Sequence, residues 1–419
     1  MRRILDLHIH SRYSRACSPR LSLANIAATA QRKGVDIVAT GDFTYPAWFQ
    51  AISSELEEKG DSGLYQLKEG NFKTLFLLST EVSLVYKDGG KARRIHLVVH
   101  APNLAAVASL NKYLDAKYNI RSDGRPILGM SAPDFVRICL QINPQFLIYP
   151  AHIWTPWYAV FGSKSGFDSF EECFHEQTEF IYAYETGLSS DPEMNWRLSA
   201  LDNLTCLSNS DAHSLENIGR EANIMSLAED RYDHIFQIIK EHRRSSDLTS
   251  EGMMATIEFY PEEGMYHWDG HRDCHFSCAP TESRRLKGLC PRCGRPLVIG
   301  VSSRVEDLAD RPLGFKPQAA VPFQRLVELD KIIAESLNIK NRQAAKVTAV
   351  YNKLIDSFGS ELSVLLDLDL DQLKIVNPRV ATGLARVRRG ELSLRPGFDG
   401  QYGQVRVFSE DELQPAALF

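Results

Sequence analysis

A chain of 419 residues is too long for one ordinary core, so two or three domains are expected. Hydrophobic residues at 44% and charged residues at 24% exclude long disorder, and a net charge of −5 excludes a general polycation, so nucleic-acid binding would need local basic patches. No apolar run reaches about 18 residues and charged and histidine residues interrupt the N-terminus at once, which predicts neither a membrane span nor a signal peptide and places the protein in the cytoplasm.

The first predicted strand, RRILDLHIH, ends on His8 and His10. LSLANIAATAQRKG predicts a helix stopped by Gly34. VDIVATGDF is a second strand ending at Asp42, and TLFLLSTE a third ending at Glu81. KDGGK, between Glu81 and His96, is too short for a crossover helix and predicts a hairpin turn. RRIHLVVH then carries His96 and His100, QFLIYPAH reaches His152, FIYAYETG reaches Glu185, and LTCLSNSDAH ends on Asp211 and His213. Seven strands with helices between most of them predict a largely parallel α/β barrel over residues 1–245. Residues 255–310, rich in Gly, Pro, Cys and aromatics, predict a small zinc-stabilised module. After the linker RVEDLADRPLGFKPQ, residues 318–419 predict a mainly helical domain, with LVELDKIIAESLNI, RQAAKVTAVYNKLIDSF and LDQLKIV showing apolar positions three and four apart.

Side chains that bind metals recur at the strand ends. Residues i and i+2 of a strand face the same way, so His8 and His10 can converge on one ion. In parallel α/β folds the functional face lies at the carboxyl ends of the strands, and here nearly every one ends on a His, Asp or Glu. Any single case is explained by a cap or a turn; the repetition predicts a metal centre. Mixed imidazole and carboxylate ligands suit Zn²⁺ or Mn²⁺ better than Mg²⁺. Two such ions clamp the attacking and leaving oxygens of a displacement at phosphorus.

Of eight cysteines, Cys274, Cys278, Cys290 and Cys293 fall within twenty residues. Cys274-x3-Cys278 and Cys290-x2-Cys293 predict a closed, structural Zn²⁺ site, with His271 or His275 as the alternative ligands for one cysteine. Arg272, Arg284, Arg285 and Lys287 would lie on its surface.

DLHIHS, TGDF, Glu81, IHLVV, AHIW and SNSDAHS resemble the successive motifs of the PHP (polymerase and histidinol phosphatase) superfamily of metal-dependent phosphoesterases. The resemblance implies a distorted seven-stranded barrel holding two or three divalent ions, Zn²⁺, Mn²⁺ or Mg²⁺, with Glu81, Asp211 and His213 as catalytic residues. It assigns His8, His10, Glu81 and Asp211 to one ion, Glu81, His96 and His152 to a second, and His213 with Asp42 to a third. Two positions depart from the pattern, Cys17 where an Asp is common and Phe43 where a His is common, and both fall on the third ion.

Arg12 and Arg15, and the aromatics Tyr45, Trp48, Trp154, Trp157 and Tyr158, flank predicted ligands and suit phosphate contact and base stacking. RVRRG at Arg386, Arg388 and Arg389 is a basic stretch in the helical region. Over the whole chain, TGDFTYPAWF, IEFYPEEGMYHWDGHRDC, the four cysteines, VIGVSSRVEDLADRP and LRPGFDGQYG resemble the endonuclease Q family. That resemblance implies a DNA-repair nuclease cutting 5′ to uracil, hypoxanthine, xanthine or abasic sites by metal-activated water and leaving 3′-hydroxyl and 5′-phosphate ends, and a monomer is expected. Trp48 with Ser189, Ser190 and Asn195 is the expected base pocket, and Trp154 a further lesion contact. The C-terminal ELQPAALF is apolar enough to dock on a sliding clamp. The competing expectations are a small-molecule phosphatase of the histidinol phosphate type, which would not need the appended zinc and helical regions, and a non-catalytic DNA-binding scaffold with a degenerate barrel.

Overall fold

All seven predicted strands form in the computed structural model, which describes residues 1–409 and Glu412. Arg2–Asp6 pairs in parallel with Ile37–Ala39, which pairs in parallel with Leu75–Leu77. On the other side Arg2–Asp6 runs antiparallel to Ala222–Ser226, followed by Gly252–Glu258 and Phe323–Arg325. These strands belong to an eight-stranded sheet, one edge of which therefore comes from beyond residue 245 while the other is formed by Leu64–Leu67 and Leu56–Glu58.

A four-stranded sheet is built on the hairpin Ser79–Asp88 and Lys91–His100, with Leu147–Pro150 antiparallel to the second arm. The KDGGK turn closes as expected: Gly89 and Gly90 both have positive φ, 55° and 75°, the requirement of a tight two-residue hairpin loop. Ala183–Glu185 and Thr205–Leu207 form a separate parallel pair.

The expected seven-stranded barrel is thus not a closed hydrogen-bonded ring; its strands are shared among three sheets. The cause is local. Several strands are only three residues long, and three of the residues just past strand ends turn left-handed: Asp42 at φ 48°, His152 at 30° and Asp211 at 45°. Non-glycine residues rarely adopt that conformation, and it ends the ladder where the functional side chains begin. Single contacts cross the gaps, such as His10 N to the Ala212 carbonyl at 3.0 Å and Ile153 N to the Glu185 carbonyl at 3.1 Å.

Helix Leu23–Lys33 forms as predicted. Ser22 caps its N-terminus, and Gly34, at φ 89°, ends it by donating to the Ala30 carbonyl. Its apolar positions Leu23, Ile26, Ala27 and Ala30 are buried. A buried carboxylate ties the first strand to the loop that carries Asp211. Asp6 accepts from Ser210 N at 3.1 Å, Ser210 Oγ at 2.6 Å and Gly219 N at 2.9 Å. Burial outweighs these bonds and pushes its pKa up to about 6.

The C-terminal region contains helices Leu329–Ser336, Ala345–Phe358, Leu370–Val376 and Pro378–Arg389. Lys33 Nζ, 3.4 Å from Glu361, joins it to the first helix of the sheet region. The RVRRG arginines are engaged locally: Arg386 with Glu412, Arg388 with the Val364 and Leu365 carbonyls, and Arg389 with Glu391. The segment proposed to dock on a clamp lies, past Glu412, outside the described residues. Among the described residues no helix is long and apolar enough to cross a membrane.

Candidate metal centre

Just past the first strand the chain stays extended, burying Leu7 and Ile9 in two apolar clusters and leaving His8 and His10 to point away from them. His10 Nε2 lies 3.2 Å from Glu81 Oε2 and 3.1 Å from Asp211 Oδ1; His8 Nε2 lies 3.7 Å from both. The other Glu81 oxygen, Oε1, faces His96 Nδ1 at 2.7 Å and His152 Nε2 at 3.3 Å. Ligand atoms of His8, His10, Glu81 and Asp211 all fall within 4.8 Å of one another, as do those of Glu81, His96 and His152. One carboxylate thus belongs to both sets, with one oxygen turned to each.

The donor atoms fit metal ions. His8 Nε2, His10 Nε2, Glu81 Oε1 and Asp211 Oδ1 are buried without a hydrogen-bond partner of good geometry. Orphaned buried polar atoms are costly; three of these face one another around Glu81 Oε2 and the fourth, Glu81 Oε1, faces His96 and His152, which is what a cation in each set would satisfy. Their outer nitrogens are fixed. His8 Nδ1 bonds Glu185 at 3.0 Å, and His10 Nδ1 bonds Asp42 Oδ1 at 3.0 Å. This turns each Nε2 inward.

Charge reinforces the arrangement. Burial opposes ionisation of Glu81, but His96, Arg125 and neighbouring imidazoles outweigh it and hold the carboxyl well below its usual range. Asp211 is lowered in the same way, against burial, by His10, His8 and His213. Burial likewise disfavours the imidazolium at His8 and His10, yet Glu185 acting on His8 and Asp42 acting on His10 raise both well above their ordinary value. His96 is the exception: burial wins over Glu81 and lowers it to about 4.

Several expected residues play other parts. Asp42 joins neither ligand set. Its Oδ1 is taken by His10 and its Oδ2 accepts from Ser11 N at 2.7 Å, Ser11 Oγ at 2.7 Å and Ser14 Oγ at 2.8 Å. His213 also stays outside both sets; its Nδ1 donates to the Asp211 carbonyl at 2.9 Å, and its ring centre lies 4.6 Å from that of His10. His100 is a core residue bonded to Tyr149 Oη at 3.0 Å.

Trp48, Trp154, Ser190 and Asn195 are buried, with their polar groups bonded inside the protein. Trp48 is 1% exposed and donates to the Thr40 and Gly41 carbonyls. Trp154 is buried and donates to Asn195 Oδ1, while Asn195 Nδ2 bonds Ser190 Oγ and the Asp191 carbonyl. Ser189 remains half-exposed, and Arg12 and Arg15 remain exposed on the loop after His10. The aromatics left near the ligands are Tyr13 stacked on Tyr45, with centres 4.5 Å apart, Tyr158 against His96, and the 38%-exposed Trp157. Arg125, which reaches Glu81, escapes motif reading altogether: it follows an ordinary Asp-Gly turn, not a strand end.

The expected four-cysteine site is altered. His271, Cys274, Cys290 and Cys293 bring ligand atoms within 4.8 Å of one another, and Cys278 is not among them. In the hairpin of Asp269–His271 with Phe276–Cys278, Cys278 pairs with Asp269, two residues from His271. That step is about 7 Å along a strand, beyond the cluster. Cys278 packs instead with Leu297 and Cys290.

Replacing Asp42 with Asn is expected to weaken ion binding by about 10- to 100-fold, because an amide cannot accept from the serines and hold His10 as the carboxylate does. Titration of the variant with Mn²⁺ by calorimetry checks this; an affinity equal to wild type would show that His10 is oriented by something else.

Residues 328–391 match the family described as the MJ0043 C-terminal domain. The uncharacterized protein YqxK of Bacillus subtilis is 28% identical over 421 residues, covering 96% of this chain and 98% of that protein. The uncharacterized protein MJ0043 of Methanocaldococcus jannaschii is 30% identical over 258 residues, 60% of this chain, and the match spans only 31% of that longer protein. Among solved structures, the lesion-specific endonuclease PfuEndoQ from Pyrococcus furiosus superposes with a TM-score of 0.85 at 29% identity, over 100% of this chain and 98% of its own. An endonuclease Q complex with a 27-mer duplex substrate, with an abasic lesion at the active site, gives a TM-score of 0.85 at 30% identity over 100% and 99%.

Proposed function

Because this chain belongs to the endonuclease Q family, we propose that it hydrolyses the DNA phosphodiester on the 5′ side of uracil, hypoxanthine, xanthine or an abasic site. The products are a 3′-hydroxyl and a 5′-phosphate. The observation that carries the reading is the division of Glu81 between two ligand sets, which is the arrangement a two-ion phosphoester site requires. His8, His10, Glu81 and Asp211 would hold one divalent ion and Glu81, His96 and His152 the other, with Zn²⁺, Mn²⁺ or Mg²⁺ as candidates. When bound, the ions supply Lewis acidity and an acidified water for in-line attack at phosphorus. His213, its Nδ1 committed to the Asp211 carbonyl, keeps Nε2 to accept a proton; burial lowers its pKa, so it is neutral near pH 7. Damaged or unpaired bases cost less to unstack, which favours them for extrusion toward the site. Arg12 and Arg15 suit the DNA backbone. A structural Zn²⁺ on His271, Cys274, Cys290 and Cys293 would hold the small module together.

End-labelled duplexes carrying single uracil, hypoxanthine or abasic positions test the reading. One cut 5′ to the lesion is expected with Mn²⁺ and none after chelation. The rate should fall as pH drops, because the ions must displace protons from His8 and His10, whose pKa values are raised. Intact duplexes, or a chromogenic phosphate monoester cleaved in their place, would overturn it.

A further inference from the structure

Glu81 Oε2 has one partner that no ligand set includes: Arg125 Nη1 donates to it at 2.8 Å. The segment delivering this guanidinium is built onto the site. Asp123 Oδ1 accepts from Arg125 N at 3.0 Å and from Arg15 N at 3.2 Å. Gly124 N donates to the Tyr13 carbonyl at 3.0 Å, and Thr44 Oγ1 donates to the Gly124 carbonyl at 3.2 Å. A Cβ on Gly124 would lie 2.4 Å from Asp42 Oδ2 and 2.5 Å from Ser14 Oγ, so only glycine lets the chain pass there. The Pro126 carbonyl then accepts from Ser83 N at 3.0 Å. Backbone anchors on both sides of Arg125 therefore fix where its side chain starts.

The Arg125 side chain is 23% exposed while that of Glu81 is 0% exposed, so the arginine reaches a fully buried carboxylate from a partly open position. It competes with any cation for the same carboxylate oxygen. Cations on both ligand sets would neutralise Glu81 and release the guanidinium without moving its backbone. A planar, permanently charged fork beside a two-ion site matches a phosphate oxygen pair.

We propose that Arg125 is a substrate ligand: in the DNA complex it leaves Glu81 for a non-bridging oxygen of the scissile phosphodiester and offsets the charge that builds there as water attacks and the P–O3′ bond breaks. The inference rests on the nuclease reading above. It differs from a purely structural role, in which Arg125 only keeps Glu81 in place.

The test compares Arg125→Ala and Arg125→Lys with wild type in three measurements: Mn²⁺ affinity by calorimetry, affinity for an abasic duplex under chelation, and single-turnover cleavage. Arg125→Ala should bind Mn²⁺ as tightly as wild type or tighter, bind DNA within about tenfold, and cleave about 100- to 1,000-fold more slowly. Free guanidinium should restore about tenfold of the Arg125→Ala rate, and Arg125→Lys should stay well below wild type because a point charge lacks the fork. Mn²⁺ affinity falling together with the rate, or a rate within about threefold of wild type, overturns the inference. If Arg125→Ala fails to fold, Arg125→Lys decides, and a wild-type rate there overturns it. Wild-type protein that cuts no duplex overturns the nuclease reading and this inference with it, whereas active wild type with an indifferent Arg125 overturns this inference alone.

Discussion

Replacing Glu81 with glutamine is expected to abolish ion binding at both ligand sets and to lower cleavage by about 1,000-fold or more. An ion at a phosphoester site contributes several kcal/mol to the transition state, and each 1.4 kcal/mol is a factor of ten. Glu81 is singular because Oε2 faces His8 and His10 while Oε1 faces His96 and His152. An amide keeps the shape but loses the charge and turns an NH₂ toward one of the two groups, leaving imidazoles facing a donor. Asp211 belongs to one set only, so Asp211→Asn should lose one ion and keep most of the second. The check is metal content per chain beside single-turnover cleavage, with duplex affinity as the control for folding. Two ions retained by Glu81→Gln would show that the sets do not share their carboxylate.

The residues gathered around Glu81 are legible in the sequence because a strand that ends at a functional face leaves a mark: an apolar run closing on a polar side chain. His8, His10, Glu81, His152 and Asp211 carry that mark, His96 lies inside its strand, and the structure brings all six together. The same mark misleads at Asp42 and Glu185. Both end apolar runs, and both hold a histidine rather than face the centre, a difference that depends on which neighbour reaches the carboxylate first. Aromatic residues in site loops mislead for a related reason. Trp48 and Trp154 sit beside ligands in sequence, but their indole N–H groups find acceptors inside, and burial then follows from their area. Arg125 leaves no pattern, since a long side chain can act far from where its loop lies. Barrel closure is invisible for another reason: strand identity is a local property, whereas the ladder depends on how three-residue strands meet after left-handed turns.

Replacing His271 with alanine is expected to strip Zn²⁺ from the small module, whereas Cys278→Ser should leave the ion bound. Spacing alone favours four thiolates, but the hairpin sets Cys278 opposite Asp269 and brings His271 Nδ1 to 3.6 Å from Cys293 Sγ. The second knuckle is preformed: Gly294, at φ 72°, lets its N–H reach the Cys290 carbonyl at 2.8 Å, and Cys290 N reaches the Arg295 carbonyl at 2.8 Å. The apolar cluster of the module is small, Cys278, Cys290 and Leu297 with Cys274, Phe276 and Leu286 packed against it, and two of these six are ligands themselves. So little apolar area cannot hold a fold, and structural Zn²⁺ is worth on the order of 10 kcal/mol in small domains of this kind. Loss of the ion should therefore unfold the module and expose it to protease, while Cys278→Ser costs about 1–3 kcal/mol for placing a hydroxyl in an apolar pocket. Zinc content and limited proteolysis read the two effects separately. Zinc kept by His271→Ala and lost by Cys278→Ser would mean that the ion pulls Cys278 across the hairpin and that four thiolates close the site.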